Sequence, residues 1–120
     1  MKWGHLDEVE ASHKLLYWVL MFVLAPYFED PIDHWLKDIL VDGGGLGGDP
    51  GWEMEHTPEP NGAGFYRVWG DPDMSGIEPA EAIYSTETVR HAVQESLLAL
   101  SKAYPNKAHE AKEVIRIYNL

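Results

Sequence analysis

The chain contains no cysteine. A disulfide framework, a thiolate metal site and a thiol nucleophile are thereby excluded, and the usage fits a reducing cytoplasm. Long apolar runs are also missing. The longest nearly uncharged stretch, residues 15–28, has fourteen residues, short of the roughly 20 that a membrane-spanning helix needs. Asp7 and Glu8 stand where a secretory leader would have its basic start, and no small-residue cleavage site follows the apolar run. A soluble cytoplasmic protein is expected. Bases are scarce, with 9 Lys and Arg against 20 Asp and Glu and a formal net charge of −11. Such a surface repels phosphate backbones and anionic lipid, so neither nucleic acid nor membrane is expected as a direct partner.

Catalytic signatures are equally sparse. The six histidines, His5, His13, His34, His56, His91 and His109, include no pair three or four residues apart on a predicted helix, and no HExxH motif exists. There is no Gly-x-x-x-x-Gly-Lys loop, and the serines have no nucleophile-elbow context. A lone His such as His34 or His56 is more often a surface or satisfied side chain than a catalyst. The sequence therefore predicts a non-enzyme without metal or cofactor. A two-carboxylate hydrolase is the competing enzyme reading, but the abundant acids single out no pair.

The acidity is confined to one window. Residues 29–81 hold Glu29, Asp30, Asp33, Asp38, Asp42, Asp49, Glu53, Glu55, Glu59, Asp71, Asp73, Glu78 and Glu81 against Lys37 and Arg67 alone. That excess equals the formal charge of the whole chain, and the two flanks cancel. Trp35, Trp52, Phe65, Tyr66 and Trp69 lie in the same window. Carboxylates interleaved with aromatics suit a surface that meets a basic partner.

At 120 residues and 45% hydrophobic composition, one domain spanning 1–120 can bury a single core. Residues 7–25 predict a helix with acids at its start and Pro26 as its stop. Leu16, Val19, Leu20 and Val23 make one stripe, while Tyr17, Trp18, Met21 and Phe22 cover the opposite side, so this helix should be central. Asp30 as N-cap and Pro31 at the first helical position open a second helix, with Ile32, Trp35, Leu36 and Ile39 at helical spacing to about Val41. Residues 42–51 read as a flexible connector by composition. Gly43, Gly45 and Gly48 match a dinucleotide-binding pattern, with Asp71 near the expected distance. Asp49-Pro50-Gly51 then follows where that motif requires a helix, which makes the match a decoy.

Residues 52–56 alternate, residues 65–69 are rich in strand formers, and Pro58, Pro60, Asn61-Gly62 and Gly64 supply the turn between them. A β-hairpin is expected with Trp52, Met54, Tyr66 and Val68 turned to the core. That register sets Arg67 beside Glu53 and Glu55 and leaves Phe65 and Trp69 on the acidic side. Either this face is open or a helix covers it. Residues 70–76 form a turn-rich loop in which Asp71, Asp73, Ser75 and Gly76 imitate part of an EF-hand, but Ala82 stands at the position of the bidentate carboxylate. Ala82-Ile83-Tyr84 is a candidate third strand. Thr86 should cap the clearest helix, residues 86–104, with Val89, Val93, Leu97, Leu100 and Tyr104 as its stripe. After Pro105, Asn106 should cap a last helix burying Ala111, Val114, Ile115 and Tyr118. The fold class is α+β, with helices at both ends around a small antiparallel sheet.

In size, localised charge and style, the chain resembles the small acidic immunity proteins that neutralise bacterial toxins, including those of contact-dependent growth inhibition and colicin systems. The resemblance rests on the acidic aromatic middle, residues 52–81, and on Tyr84-Ser85-Thr86-Glu87 leading into two helices; no diagnostic motif is shared. It implies a stoichiometric inhibitor of a secreted toxin, often a nuclease, captured in the cytoplasm. The basic toxin would be met by Glu53, Glu55, Glu59, Phe65, Trp69, Asp71, Asp73, Glu78 and Glu81. The alternative is a small acidic adaptor or regulatory binding domain whose charge serves solubility.

Overall fold

The computed structural model describes residues 2–24, 31–41, 43–60 and 64–120. Helix α1 (Lys14–Leu24) follows a 3-10 turn at Ala11–His13, and α2 (Asp33–Ile39) precedes the sheet. Strands β1 (Gly45–Gly48), β2 (Trp52–Thr57), β3 (Phe65–Gly70) and β4 (Glu81–Ser85) pair in sequence order, each antiparallel to its neighbour. A one-turn helix α3 (Pro72–Ser75) joins β3 to β4. Helices α4 (Thr86–Ala103) and α5 (Ala108–Ile117) close the chain with a 3-10 turn at Pro105–Lys107 between them. The class is α+β with helices at both ends, as the sequence predicts.

One face of the sheet carries the core. Along β2 burial alternates strictly, with Trp52, Met54 and His56 inside, and β3 turns Tyr66, Val68 and Gly70 the same way. Helix α2 lies over β1 and β2, α1 over β2 and β3, and α4 over β3 and β4. Leu16, Val19, Leu20 and Val23 of α1 are fully buried, which makes that helix central. It approaches β3 so closely that a Cβ on Gly70 would come within 2.8 Å of Trp18 Cζ3 and 2.9 Å of Leu15 Cδ1. A side chain there would force Trp18 and Leu15 to move. Tyrosine hydroxyls pin the outer helices: buried Tyr66 donates to the Ile39 carbonyl at 2.6 Å, and half-buried Tyr118 to Asp33 Oδ2 at 2.9 Å.

Several local expectations are corrected. The first helix begins at Lys14 rather than Asp7, because four-residue turns (Lys2 to His5, Leu6 to Val9) lay Trp3, Leu6 and Val9 against the core. Helix α2 begins at Asp33 with Ile32 before it in helical conformation; Asp30, the expected cap, lies outside the described residues. The cap of α4 is Ser85, whose hydroxyl accepts from Thr88 N–H at 3.1 Å, while Thr86 is already helical. Asn106 belongs to the 3-10 turn, so α5 starts at Ala108 without a side-chain cap. Tyr104 is 39% exposed, since α4 ends one residue before it.

The glycine-rich connector holds the largest correction, because Gly45–Gly48 forms a strand paired with Trp52–Glu55. Glycine has low strand propensity, but β2 offers a complete hydrogen-bonding edge, and ladder formation overrides so weak a preference. Gly44 at its entrance is sterically required, a Cβ there lying 2.2 Å from the Asp38 carbonyl oxygen. The turn expected over 70–76 contains α3, for which Asp71 is the cap, accepting from Asp73 N–H at 3.0 Å.

Candidate functional site

The face of the sheet opposite the helices is open among the described residues, which settles the choice between an open and a covered face. Its side chains follow from strand alternation and register. One row across the sheet runs Gly47, Glu53, Trp69, Glu81, the next Gly45, Glu55, Arg67, Ile83, and a third Thr57, Phe65, Ser85. The expected hairpin register is thus present, with Trp52, Met54, Tyr66 and Val68 buried and Arg67 directly opposite Glu55.

Arg67 is the electrostatic centre. Its Nη2 donates to Glu53 Oε2 at 3.0 Å, its Nη1 to Glu81 Oε2 at 3.4 Å, and Glu55 Oε2 lies 3.9 Å from Nη2. The Glu53 hydrogen bond, aided by the charges of Glu81 and Glu55, raises the guanidinium further above its already high ordinary value. Three carboxylates from β2 and β4 therefore converge on one cation from β3. Formally, two negative charges remain unbalanced at the middle of the face. The three glutamate side chains are more than half exposed while Arg67 is only 30% exposed, so the acids form the outer layer. Beside them lie the half-buried rings of Phe65 and Trp69 and the side chain of Ile83, 65% exposed. Carboxylates at the middle with apolar side chains at their flanks offer a basic partner both charge and contact area.

Of the nine residues singled out in the sequence, Glu53, Glu55, Phe65, Trp69 and Glu81 meet on this face. Asp71 leaves the sheet at the end of β3, where its N–H donates to the Gly51 carbonyl at 2.8 Å and its carboxylate caps α3. Asp73 is exposed on α3. Glu78 borders hollows lined by Lys14, Leu15 and Tyr84, on the helical side of the sheet. Glu59 lies in the connection between β2 and β3, at the opposite end of the strands. Sequence reasoning passed over Arg67 and Ile83 as members of the site. Alternation supplied the signal for both, since inward Tyr66 and Val68 turn Arg67 out, and inward Tyr84 turns out Ile83.

Other features resolve as structure. His56 is buried, with Nδ1 accepting from Gly43 N–H at 3.2 Å, Nε2 3.3 Å from Thr86 Oγ1, and its ring 4.7 Å from that of Tyr66. It is a satisfied core residue that ties the entrance of β1 to the start of α4. A hollow of about 560 Å³ is lined by Thr86, Arg90, His91 and Asn119, but the Arg90 guanidinium is committed to the carbonyls of Tyr118 and Asn119. Among the described residues no group of three or more His, Asp or Glu side chains is gathered as a metal site, and no helix is long and apolar enough to cross a membrane. The chain matches no protein-family model, no curated protein and no solved structure.

Proposed function

We propose that this chain is an immunity protein that captures a cognate bacterial toxin, a basic domain and in the first instance a nuclease, through the open face of its sheet. The reading rests on one observation: Glu53, Glu55 and Glu81 surround a single arginine beside half-buried Trp69 and Phe65 and exposed Ile83. A nucleic-acid-cleaving toxin carries a basic groove for its substrate. An acidic face competes for that groove by charge, and the excess of negative charge speeds encounter. The apolar residues then supply the contacts that slow release.

The test is to co-express this chain with the C-terminal region of the adjacent upstream reading frame, and to score both growth and co-purification. The expected result is that the neighbouring product arrests growth alone, and that this chain restores growth and co-purifies with it. A harmless neighbour that does not co-purify removes the reading.

A further inference from the structure

We propose that the free edge of β1 is a docking edge: an extended basic segment of the partner pairs with it as a fifth strand and sends alternate Lys or Arg side chains across Gly45 and Gly47 to Glu55 and Glu53. The proposal rests on the basic-partner reading above and adds the mode of attachment to it.

The phase of the ladder sets which groups are free. His56 N–H donates to the Gly44 carbonyl at 2.8 Å, while the Gly44 N–H turns back to the Val41 carbonyl at 3.0 Å; that phase makes 46 and 48 the strand residues whose N–H and C=O groups face β2. The N–H and C=O groups of Gly45 and Gly47 therefore point out of the sheet. Both residues are exposed, and among the described residues no backbone hydrogen bond takes up these outward groups. Sheet edges are ordinarily guarded by charge, proline or a bulge. Gly45-Leu46-Gly47-Gly48 has no such guard, whereas β4 at the other edge carries Glu81 and Ile83 on the open face.

The fold does not account for Gly45 and only partly accounts for Gly47. Neither has a positive φ. A Cβ on Gly45 would make only ordinary contacts, the nearest at 3.5 Å, and one on Gly47 would sit 3.0 Å from the Trp52 carbonyl oxygen, asking for a small local shift. Glycine weakens a strand and often marks a place where another backbone approaches. Here it also clears a path. Residues directly opposite share a face, so an added strand would continue the two rows as partner residue, Gly45, Glu55 and partner residue, Gly47, Glu53. The gap from the added strand to β2 is two strand spacings, about 9.6 Å. An outstretched Lys or Arg meets a Glu across that gap only if nothing stands between them. Arg67 balances one of the three central carboxylates, and two chains of formal charge −11 repel, so the occupant is a basic segment rather than a second copy.

The experiment titrates the full chain, in low salt, with a blocked eight-residue peptide of alternating lysine and valine, followed by amide NMR. The Gly45 and Gly47 amides should shift and gain protection from exchange. Affinity should fall at least tenfold when the lysine amides of the peptide are N-methylated, and much less when the valine amides are. Gly45→Pro removes an outward donor, and Gly45→Val keeps that donor while closing the path; each should weaken binding with the fold intact by circular dichroism. Suppose binding ignores lysine-amide methylation and both Gly45 variants yet still falls with Glu53→Gln and Glu55→Gln. The edge proposal is then overturned, and the acidic face stands without it. No binding at millimolar peptide also overturns it, as does a dimer of the chain alone that protects the same two amides. Growth rescue by the Gly45 variants is scored separately, so failure of the immunity reading is seen independently.

Discussion

Replacing Arg67 with methionine keeps an apolar stem over the sheet and removes the cation on which the three glutamates converge. Two of its contacts, to Glu53 at 3.0 Å and Glu81 at 3.4 Å, are close, and the third, to Glu55, is 3.9 Å. Exposed pairs of this kind contribute about 0.2–1 kcal/mol each. With two close pairs and the lost shielding among three carboxylates, the substitution should cost about 1–1.5 kcal/mol at low salt. In a chain of this length that is a fall of roughly 3–6 °C in Tm. Raising the salt to 1 M shortens the screening length to about 3 Å, and most of the loss should disappear. The assay is urea unfolding of both proteins at about 10 mM and 1 M salt, compared at a common m-value. A deficit of the same size at both salt concentrations would refute the reasoning, because Arg67 would then act through packing rather than through charge.

The remaining expectations concern the core, alkaline pH and binding. Gly70→Ala forces a methyl group against Trp18 and Leu15 and should destabilise by about 1–3 kcal/mol in the same urea assay. Tyr66→Phe leaves the Ile39 carbonyl without its buried donor and should cost about 1–3 kcal/mol; an unchanged midpoint would show that the carbonyl finds another partner. Burial, followed by the hydrogen bond to Asp33, pushes Tyr118 up to about 12, and burial with the Glu95 hydrogen bond raises Tyr17 well above its ordinary range. A phenol whose folded value is raised contributes stability that is complete below its unfolded value of about 10 and fades above it. Stability should therefore decline from pH 10 through pH 12, and Tyr17, Tyr118 and Tyr84, which burial also raises, should titrate late by ultraviolet absorbance. Against a basic partner, joint reversal of Glu53, Glu55 and Glu81 to Lys should slow association at low salt, whereas Trp69→Ala should chiefly speed dissociation, both read by stopped-flow or surface binding kinetics.

Alternation made the hairpin legible. A period of two in Trp52-Glu53-Met54-Glu55-His56 fixes which side chains face the core, and Phe65–Gly70 then follows in register, so five of the nine proposed contact residues fall together. The helices α1 and α4 were legible from their stripes, because burial of one face repeats at a period that the sequence displays. What escaped was decided by tertiary pairing. Gly45–Gly48 has no pattern of its own and becomes a strand because β2 supplies the ladder. The capping positions missed by one or two residues, because Ser85, Thr86 and Thr88 are chemically interchangeable as caps and only the backbone angle at Ser85 selects among them. Asp71, Asp73 and Glu78 were grouped with the face by their closeness in sequence. The exit of the chain through α3 carries them elsewhere.

That exit bears on how the face is to be mapped. Asp71 caps α3 and its backbone is bonded to Gly51, so a charge reversal there removes a cap while altering the field. A lost cap costs about 0.5–2 kcal/mol, enough to mix a folding defect into any binding measurement. Glu53, Glu55 and Glu81 differ in kind, since among the described residues their carboxylates pair with Arg67 and are more than half exposed, and the core beneath them is built from the alternate residues Trp52, Met54, Val68 and Tyr84. Their reversal changes the charge of the surface with little change in the packing below. The core lies on one face of the sheet and the charged cluster on the other, so the folding cost of substitutions on the open face is limited to the lost Arg67 pairs and can be measured by unfolding before binding is compared.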